Sequence, residues 1–377
     1  MTNCADNNDV PKRIRDIRRQ LEKKLLILGH HYQRDEVLAH TDLQGDSYQL
    51  SAAAGEQNGD LETIVFCGVH FMAETADILV NSTEKLAQRN GRRVNVLLPD
   101  LEAGCGMADM ATLENVERCW NKLGEAVDLT NVVPVTYVNS TADLKAFCGR
   151  HGGYACTSSN AVKVLSQALS SQDETKNPAH QRRVLFFPDQ HLGRNTALTT
   201  PALGIGKSEI VLWDDTAADF GGNTEEQIVR SKIILWNGYC CVHQKFVPEH
   251  IETIRETYPN IRVIVHPECR LDVVEKADAA GSTAYILRTV NESPAGSIWA
   301  VGTEGRFVER LAKQNPDKTV VNLAFQPSYC DFMGLIELPK LAAVLESVVA
   351  GQAVNIVSVP GATAAEANEC LKRMLQC

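Results

Sequence analysis

Ten short apolar runs, separated by stretches of helical pattern, constrain this chain more than any other feature. Residues 25–28 (LLIL), 63–67 (TIVFC), 94–98 (VNVLL), 132–138 (VVPVTYV) and 184–187 (VLFF) read as buried strands. So do 210–213 (IVLW), 261–265 (IRVIV), 284–287 (AYIL), 298–301 (IWAV) and 320–323 (VVNL). Helical patterns stand between them, for example at 51–57, 71–79, 142–147, 160–169 and 338–349. This alternation predicts an α/β fold of βαβ units, with parallel sheets covered on both faces. A length of 377 residues allows two or three domains.

The polar motifs at the strand ends recur in order, which predicts three α/β domains of similar plan. A strand followed by polar, ring-bearing residues occurs at His30-His31-Tyr32, Tyr137-Val138-Asn139 and His266-Pro267-Glu268. A small-residue turn opening a helix occurs at Cys67-Gly68-Val69-His70, Thr157-Ser158-Ser159-Asn160 and Gly281-Ser282-Thr283. An apolar strand ending in an acid occurs at Leu98-Pro99-Asp100, Phe187-Pro188-Asp189 and Val301-Gly302-Thr303-Glu304. Each copy then reaches a cysteine in a turn: Cys105, Cys240 and Cys330. Open α/β sheets bind ligands beyond the carboxyl ends of their strands. Three sheets aimed at one centre would bring these cysteines together. The chain has neither a GxGxxG nor a P-loop, which argues against a nucleotide site.

Twelve cysteines without a single CxxC argue against a zinc ribbon, a thioredoxin site or a ferredoxin-type run. Cys105 lies between Gly104 and Gly106, so a bulky group could approach its sulfur. At a strand-to-helix turn its pKa would be lowered, favouring a thiolate ligand or nucleophile. The alternative is a small packing residue. A net charge of -10 points away from nucleic acid and anionic membranes. The basic stretch 11–24 reads as the solvated face of a first helix. No run is apolar and long enough to span a bilayer. The polar start, MTNCADNNDV, reads as a disordered tail rather than a signal peptide. A cytoplasmic protein with reduced cysteines is expected.

Taken together, GHHYQRDEV, GDSYQL, FCGVHFMAETADIL, LLPDLEAGCGMADM, YVNSTADLKA, CTSSNAVKV and WNGYCCVHQKF resemble the quinolinate synthases of NAD biosynthesis. So do HPECRLDVVEKAD, AGSTAYI, AVGTE and the CDFM run, in family order from about residue 25 to 342. The resemblance implies three Rossmann-like, three-layer αβα domains in a pseudo-threefold triangle, with the active site at the centre. Each domain would give one cysteine to a [4Fe-4S] cluster that keeps one iron open to substrate. It implies a transferase that condenses iminoaspartate with dihydroxyacetone phosphate to quinolinate, phosphate and two waters. Functional coupling to the enzyme supplying iminoaspartate follows from that reaction.

Carried onto this sequence, the metal ligands are Cys105, Cys240 and Cys330, with Cys241 the alternative at the middle position and His243 its pattern's histidine. The substrate set is His30, Tyr32 and Ser47; Tyr137, Val138, Asn139 and Ser158; and His266, Pro267, Glu268, Ser282 and Thr283. Glu268, with a raised pKa, is the expected general base, and His266 the contact to a carboxylate or iminium. Tyr32 and Tyr137 would donate to substrate oxygens. The hydroxyls at 157–158 and 282–283 open helices and suit phosphate or carboxylate, though plain capping needs no ligand. Asp100, Asp189 and Glu304 read as supporting acids. The expected boundaries are a tail and first helix at 1–24, domains at 25–105, 106–240 and 241–330, and 331–377 returning to the first domain. Polar insertions are expected near 113–129, 172–183 and 291–296. A non-catalytic iron–sulfur redox sensor or binding protein is the alternative, but no basic recognition helix beyond 11–24 supports it. A Schiff-base aldolase lacks a lysine in the matched strand-end motifs.

Overall fold

The computed structural model describes residues 9–57, 59–170 and 181–377. The expected tail through residue 8, and most of the 172–183 insertion, lie outside them. The described strands form three sheets. The first holds β1 (Leu25–His30), β2 (Leu43–Gly45), β3 (Thr63–Cys67) and β4 (Asn95–Leu97), in the order β2-β1-β3-β4. The second holds β5 (Val132–Tyr137), β6 (Tyr154–Cys156), β7 (Arg183–Phe187), β8 (Ile210–Trp213) and β9 (Ile233–Trp236), in the order β6-β5-β7-β9-β8. The third holds β10 (Arg262–Val265), β11 (Ala279–Ala280), β12 (Ile298–Gly302) and β13 (Thr319–Asn322), in the order β11-β10-β12-β13. All these pairings are parallel. β3, β5 and β7 are buried along their whole length, as sheets covered on both faces require.

Each sheet places its second strand beside the first and its third on the other side. This common order corrects the repeat in its first copy. The turn that matches Ser158 and Ser282-Thr283 is not Cys67–His70 but Asp46-Ser47, after β2. Asp46 caps the helix Ser47–Glu56 in a capping box with Gln49, and Ser282 caps Thr283–Glu292. Cys67–His70 comes after the third strand, as Asp189 and Glu304 do. The three cysteines come after β4, β9 and β13. β2 was missed because LQG is only three residues long, with two of them exposed.

Two further expectations fail. Residues 284–287 are not a strand but lie in the helix Thr283–Glu292, whose Ile286 and Val290 face the core four residues apart. The stretch at 113–129 is not a surface insertion. Its helix Leu113–Leu123 buries Val116, Cys119, Trp120 and Leu123 at helical spacing, and the Trp120 ring meets Phe147 edge-on.

After the third sheet the chain returns. β14 (Ile356–Val357) pairs antiparallel with β4. The helix Gly361–Gln376 then crosses to the second sheet, where Cys370, Leu371 and Met374 join Leu144, Phe147 and Cys148 in one core. The backbones touch at Gly149, where a Cβ would stand 1.8 Å from the Glu366 carbonyl oxygen. Another apolar core runs from Ile27 and Val65 of the first sheet to Val135 and Phe186 of the second. The third sheet has its own clusters and is tied on by polar contacts. Arg310 donates to Gln33 O and to Asp35, both at 3.0 Å. Asn195 donates to Pro267 O at 2.8 Å and Cys269 O at 2.7 Å, bracketing Glu268.

Candidate active site

Carboxyl ends of strands from all three sheets border one cavity, with about 70 Å³ of enclosed free space. Cys105, Cys240 and Cys330 line it, with Cys241 beside them. His30, Tyr32 and Ser47 enter from the first sheet, and Tyr137, Asn139 and Ser158 from the second. His266, Glu268 and Thr283 enter from the third. Val138, Pro267 and Ser282 do not line it. Val138 donates its N–H to Cys156 O, Pro267 O accepts from Asn195, and Ser282 accepts from the Tyr285 N–H.

The three sulfurs are electrostatic neighbours. Burial pushes the Cys105 thiol up to about 12, and Cys330 adds to the effect. Burial raises Cys240 well above the usual thiol range, with Glu268, Cys105 and Cys330 acting in the same direction. Burial takes Cys330 to about 11. Burial therefore works against the lowered pKa expected at Cys105 from a helix N-terminus. Beyond Cys105 the chain makes only a short 3-10 turn, Ala108–Met110, too slight a dipole to offset burial. Gly104 and Gly106 also line the cavity; a Cβ on either would come no nearer than ordinary contact with the Phe332 ring, at 3.8 and 3.6 Å. The donors suit a thiophilic metal group held at the sulfurs' shared face. Cys240, His243 and Glu268 offer ligand atoms within 4.8 Å of one another.

A polar chain runs behind the sulfurs. The Tyr32 hydroxyl lies 2.9 Å from Thr303 Oγ1 and 3.2 Å from Thr283 Oγ1. Thr303 Oγ1 is 3.0 Å from His243 Nε2, and His243 Nδ1 is 2.6 Å from Glu268 Oε2. His243 stacks on His266 at 4.4 Å between ring centres. Burial opposes charge on Glu268, but the neighbouring His243 and His266 outweigh it, holding the carboxyl down at about 2. The raised pKa expected of Glu268 is thus reversed by its partners. Burial pushes His266 down to about 3, and keeps Tyr32 and Tyr137 well above the usual phenol range. The site therefore holds an ionised carboxylate, a neutral imidazole and two phenols able to donate. Asn139 Oδ1 is buried without a hydrogen-bond partner in the cavity wall.

The sequence matches the family model described as Quinolinate synthetase A protein over residues 12–376. The chain belongs to the quinolinate synthetase A family. The quinolinate synthase of Rhodopirellula baltica is 49% identical over 370 residues, covering 98% of this chain and 91% of that protein. Those of Nocardioides sp. and Corynebacterium glutamicum are each 46% identical over 371 residues, covering 98% of this chain and 90% and 88% of theirs. For this member of the quinolinate synthetase A family, sequence reasoning left Thr303, Asp46, Phe332 and Met333 out of the site and gave His243 no role. His243 and Thr303 already stood in matched motifs, WNGYCCVH and AVGTE. Asp46 accepts from the Ser159 hydroxyl at 2.7 Å across two sheets, a contact no local pattern signals.

Two other buried histidines make stability depend on pH. Burial, assisted by Arg310, pushes His31 down from its ordinary 6.5 to about 4. Burial likewise pushes His191 to about 4, despite its hydrogen bond with Gln244. The unfolded chain takes up these protons first, so their contribution is complete above pH 6.5 and is lost as pH falls toward 4. At pH 5.5 each costs about 1.4 kcal/mol, and the pair about 3 kcal/mol. Urea midpoints of the metal-free protein at pH 7.5 and 5.5 check this. A His31→Gln/His191→Gln double variant that loses as much stability as wild type would refute it.

Proposed function

We propose that this chain is a quinolinate synthase that condenses iminoaspartate with dihydroxyacetone phosphate, releasing phosphate and two waters. One C–C and one C–N bond form, with no net oxidation. The carrying observation is the cavity where three cysteines meet ring-bearing and hydroxyl side chains from the strand ends of three sheets. On this reading the domains are 25–105 with 331–377, whose last helix packs onto the second sheet, 106–240 and 241–330, after a tail and helix at 1–24. They are related by a pseudo-threefold axis through the site. Cys105, Cys240 and Cys330 would hold a [4Fe-4S] cluster. Family resemblance and the three-sulfur donor set support that choice. Bound there, the cluster supplies an iron with one open position, a Lewis acid for a substrate hydroxyl or carboxylate.

The protein's own groups do the rest. Ser47, Ser158 and Thr283 stand at or just before the starts of equivalent helices, suited to carboxylate or phosphate oxygens. Asn139 Oδ1 accepts from a substrate N–H or O–H. The Glu268–His243 pair holds and returns a proton, with the carboxylate fixing the imidazole. Tyr32 and Tyr137, kept protonated, donate to oxygens as they leave. Among the described residues no helix is long and apolar enough to cross a membrane, which fits the proposed cytoplasmic setting. The coupled partner would be the enzyme supplying iminoaspartate. The test is anaerobic purification, iron and sulfide counts, and assay of quinolinate from the two substrates. A cluster-bearing protein that forms no quinolinate would overturn the reading and favour the sensor.

A further inference from the structure

The strand-end acid of the third copy, Glu304, remains without a role in this chemistry, and the fold gives it one. In every sheet, the first N–H of the helix after the third strand grips the carbonyl two residues before a cavity cysteine. His70 N–H donates to Ala103 O at 2.7 Å, ahead of Cys105. Gln190 N–H donates to Gly238 O at 2.9 Å, ahead of Cys240. Gly305 N–H donates to Ser328 O at 2.8 Å, ahead of Cys330. This latch recurs in three copies although the residues forming it share no identity.

In the third copy a side chain completes it. Glu304 is fully buried and caps the helix Gly305–Gln314, with Oε2 accepting from the Phe307 N–H at 3.2 Å. Its Oε1 accepts the Cys330 N–H at 3.2 Å and the Arg306 guanidinium at 2.9 Å. Arg306 in turn donates to Cys330 O at 3.3 Å. Both backbone polar groups of Cys330 are thus held by this pair, and neither Glu304 nor Arg306 lines the cavity. A Cβ on Gly305 would collide with Tyr329 and Pro327, at 2.7 and 2.8 Å, so the cysteine loop lies directly on this helix start. In the second copy Asp189 caps the helix Gln190–Thr199 through the Leu192 N–H at 2.7 Å, while its Oδ2 is buried without a hydrogen-bond partner. In the first copy the capping position is Val69, which has no acceptor to offer.

We propose that Glu304, together with Arg306, is the positioning residue of Cys330. The pair fixes the sulfur from behind, through the cysteine backbone. The proposal rests on the cluster reading above. Groups that orient metal ligands without touching the metal typically change metal retention by about 10- to 100-fold when removed.

The experiment compares wild type, Glu304→Ala, Glu304→Gln and Thr112→Ala, all reconstituted anaerobically. Thr112 caps the helix Leu113–Leu123 and lines no part of the cavity, so its variant reports plain loss of a cap. Readouts are iron and sulfide content, the rate of iron release to a chelator, and the spectrum of the reduced cluster. Glu304→Ala should release iron at least roughly ten-fold faster than wild type. Glu304→Gln, which keeps an oxygen for the Cys330 N–H, should fall between them, and Thr112→Ala should match wild type. If Glu304→Ala does not fold, Glu304→Gln and Arg306→Leu decide. Release rates equal to wild type in folded Glu304 variants, or equal acceleration in Thr112→Ala, would overturn the positioning role. Wild type that takes up no iron would instead overturn the cluster reading.

Discussion

Serine at position 105, 240 or 330 is expected to leave the chain folded but nearly free of iron and sulfide, with quinolinate formation lost. The reason lies in the thiols. Without metal, burial keeps Cys105 near 12, Cys330 near 11 and Cys240 well above its ordinary range. They are therefore protonated at neutral pH and are poor nucleophiles. A thiophilic metal displaces those protons, so uptake should release protons and weaken as pH falls. A serine hydroxyl gives up its proton far less readily and is a harder ligand. Cys241 is exposed, whereas Cys240 packs against the large apolar core, so Cys241→Ser should keep its iron. Iron and sulfide counts with visible spectra on the four variants decide. Full cluster content in Cys105→Ser, Cys240→Ser or Cys330→Ser sinks the assignment, and loss in Cys241→Ser instead of Cys240→Ser moves the middle ligand by one residue.

Much of this geometry could be read in the chain because buried parallel strands leave continuous apolar runs, as at 63–67 and 132–138. The parts that stayed hidden did so for physical reasons. β2, β6 and β11 are two or three residues long and exist by pairing with a longer first strand, so their sequences carry little signal. That is why Asp46-Ser47 escaped its place in the repeat. Residues 284–287 misled because four apolar or aromatic residues in a row fit a strand or a buried helix equally, and only Val290, further on, reveals the helical period. At 113–123 the signal was present, since Val116, Cys119, Trp120 and Leu123 keep helical spacing; charge between them masked it. The chain of contacts from Tyr32 through Thr303 and His243 to Glu268 joins residues far apart in sequence. Local pattern could nominate its members but not their partners, and the partners reversed the expected shift at Glu268.

Glu268→Gln should therefore be among the most damaging single changes that leave the cluster in place. The substitution keeps shape and burial but removes the charge that His243 faces at 2.6 Å. The imidazole then loses the charged group that fixes its orientation. Removing one positioned acid–base partner typically costs about 10²–10⁴ in rate. The loss should fall on kcat more than KM, because hydroxyls and helix starts elsewhere in the cavity hold the substrate. A carboxyl held at about 2 stays ionised across the neutral range, so Glu268 cannot be the source of any fall in wild-type activity between pH 6 and 8. Its stabilising effect on the fold, complete above its ordinary 4.5, is lost only as pH drops from there toward 2. The measurement is kcat and KM of Glu268→Gln, expressed per cluster, beside His243→Gln and the double variant. If the two residues act as one unit, the double variant should be little slower than either single one. Rates within about ten-fold of wild type, or losses that multiply in the double variant, would show that Glu268 and His243 do not share a proton-transfer role.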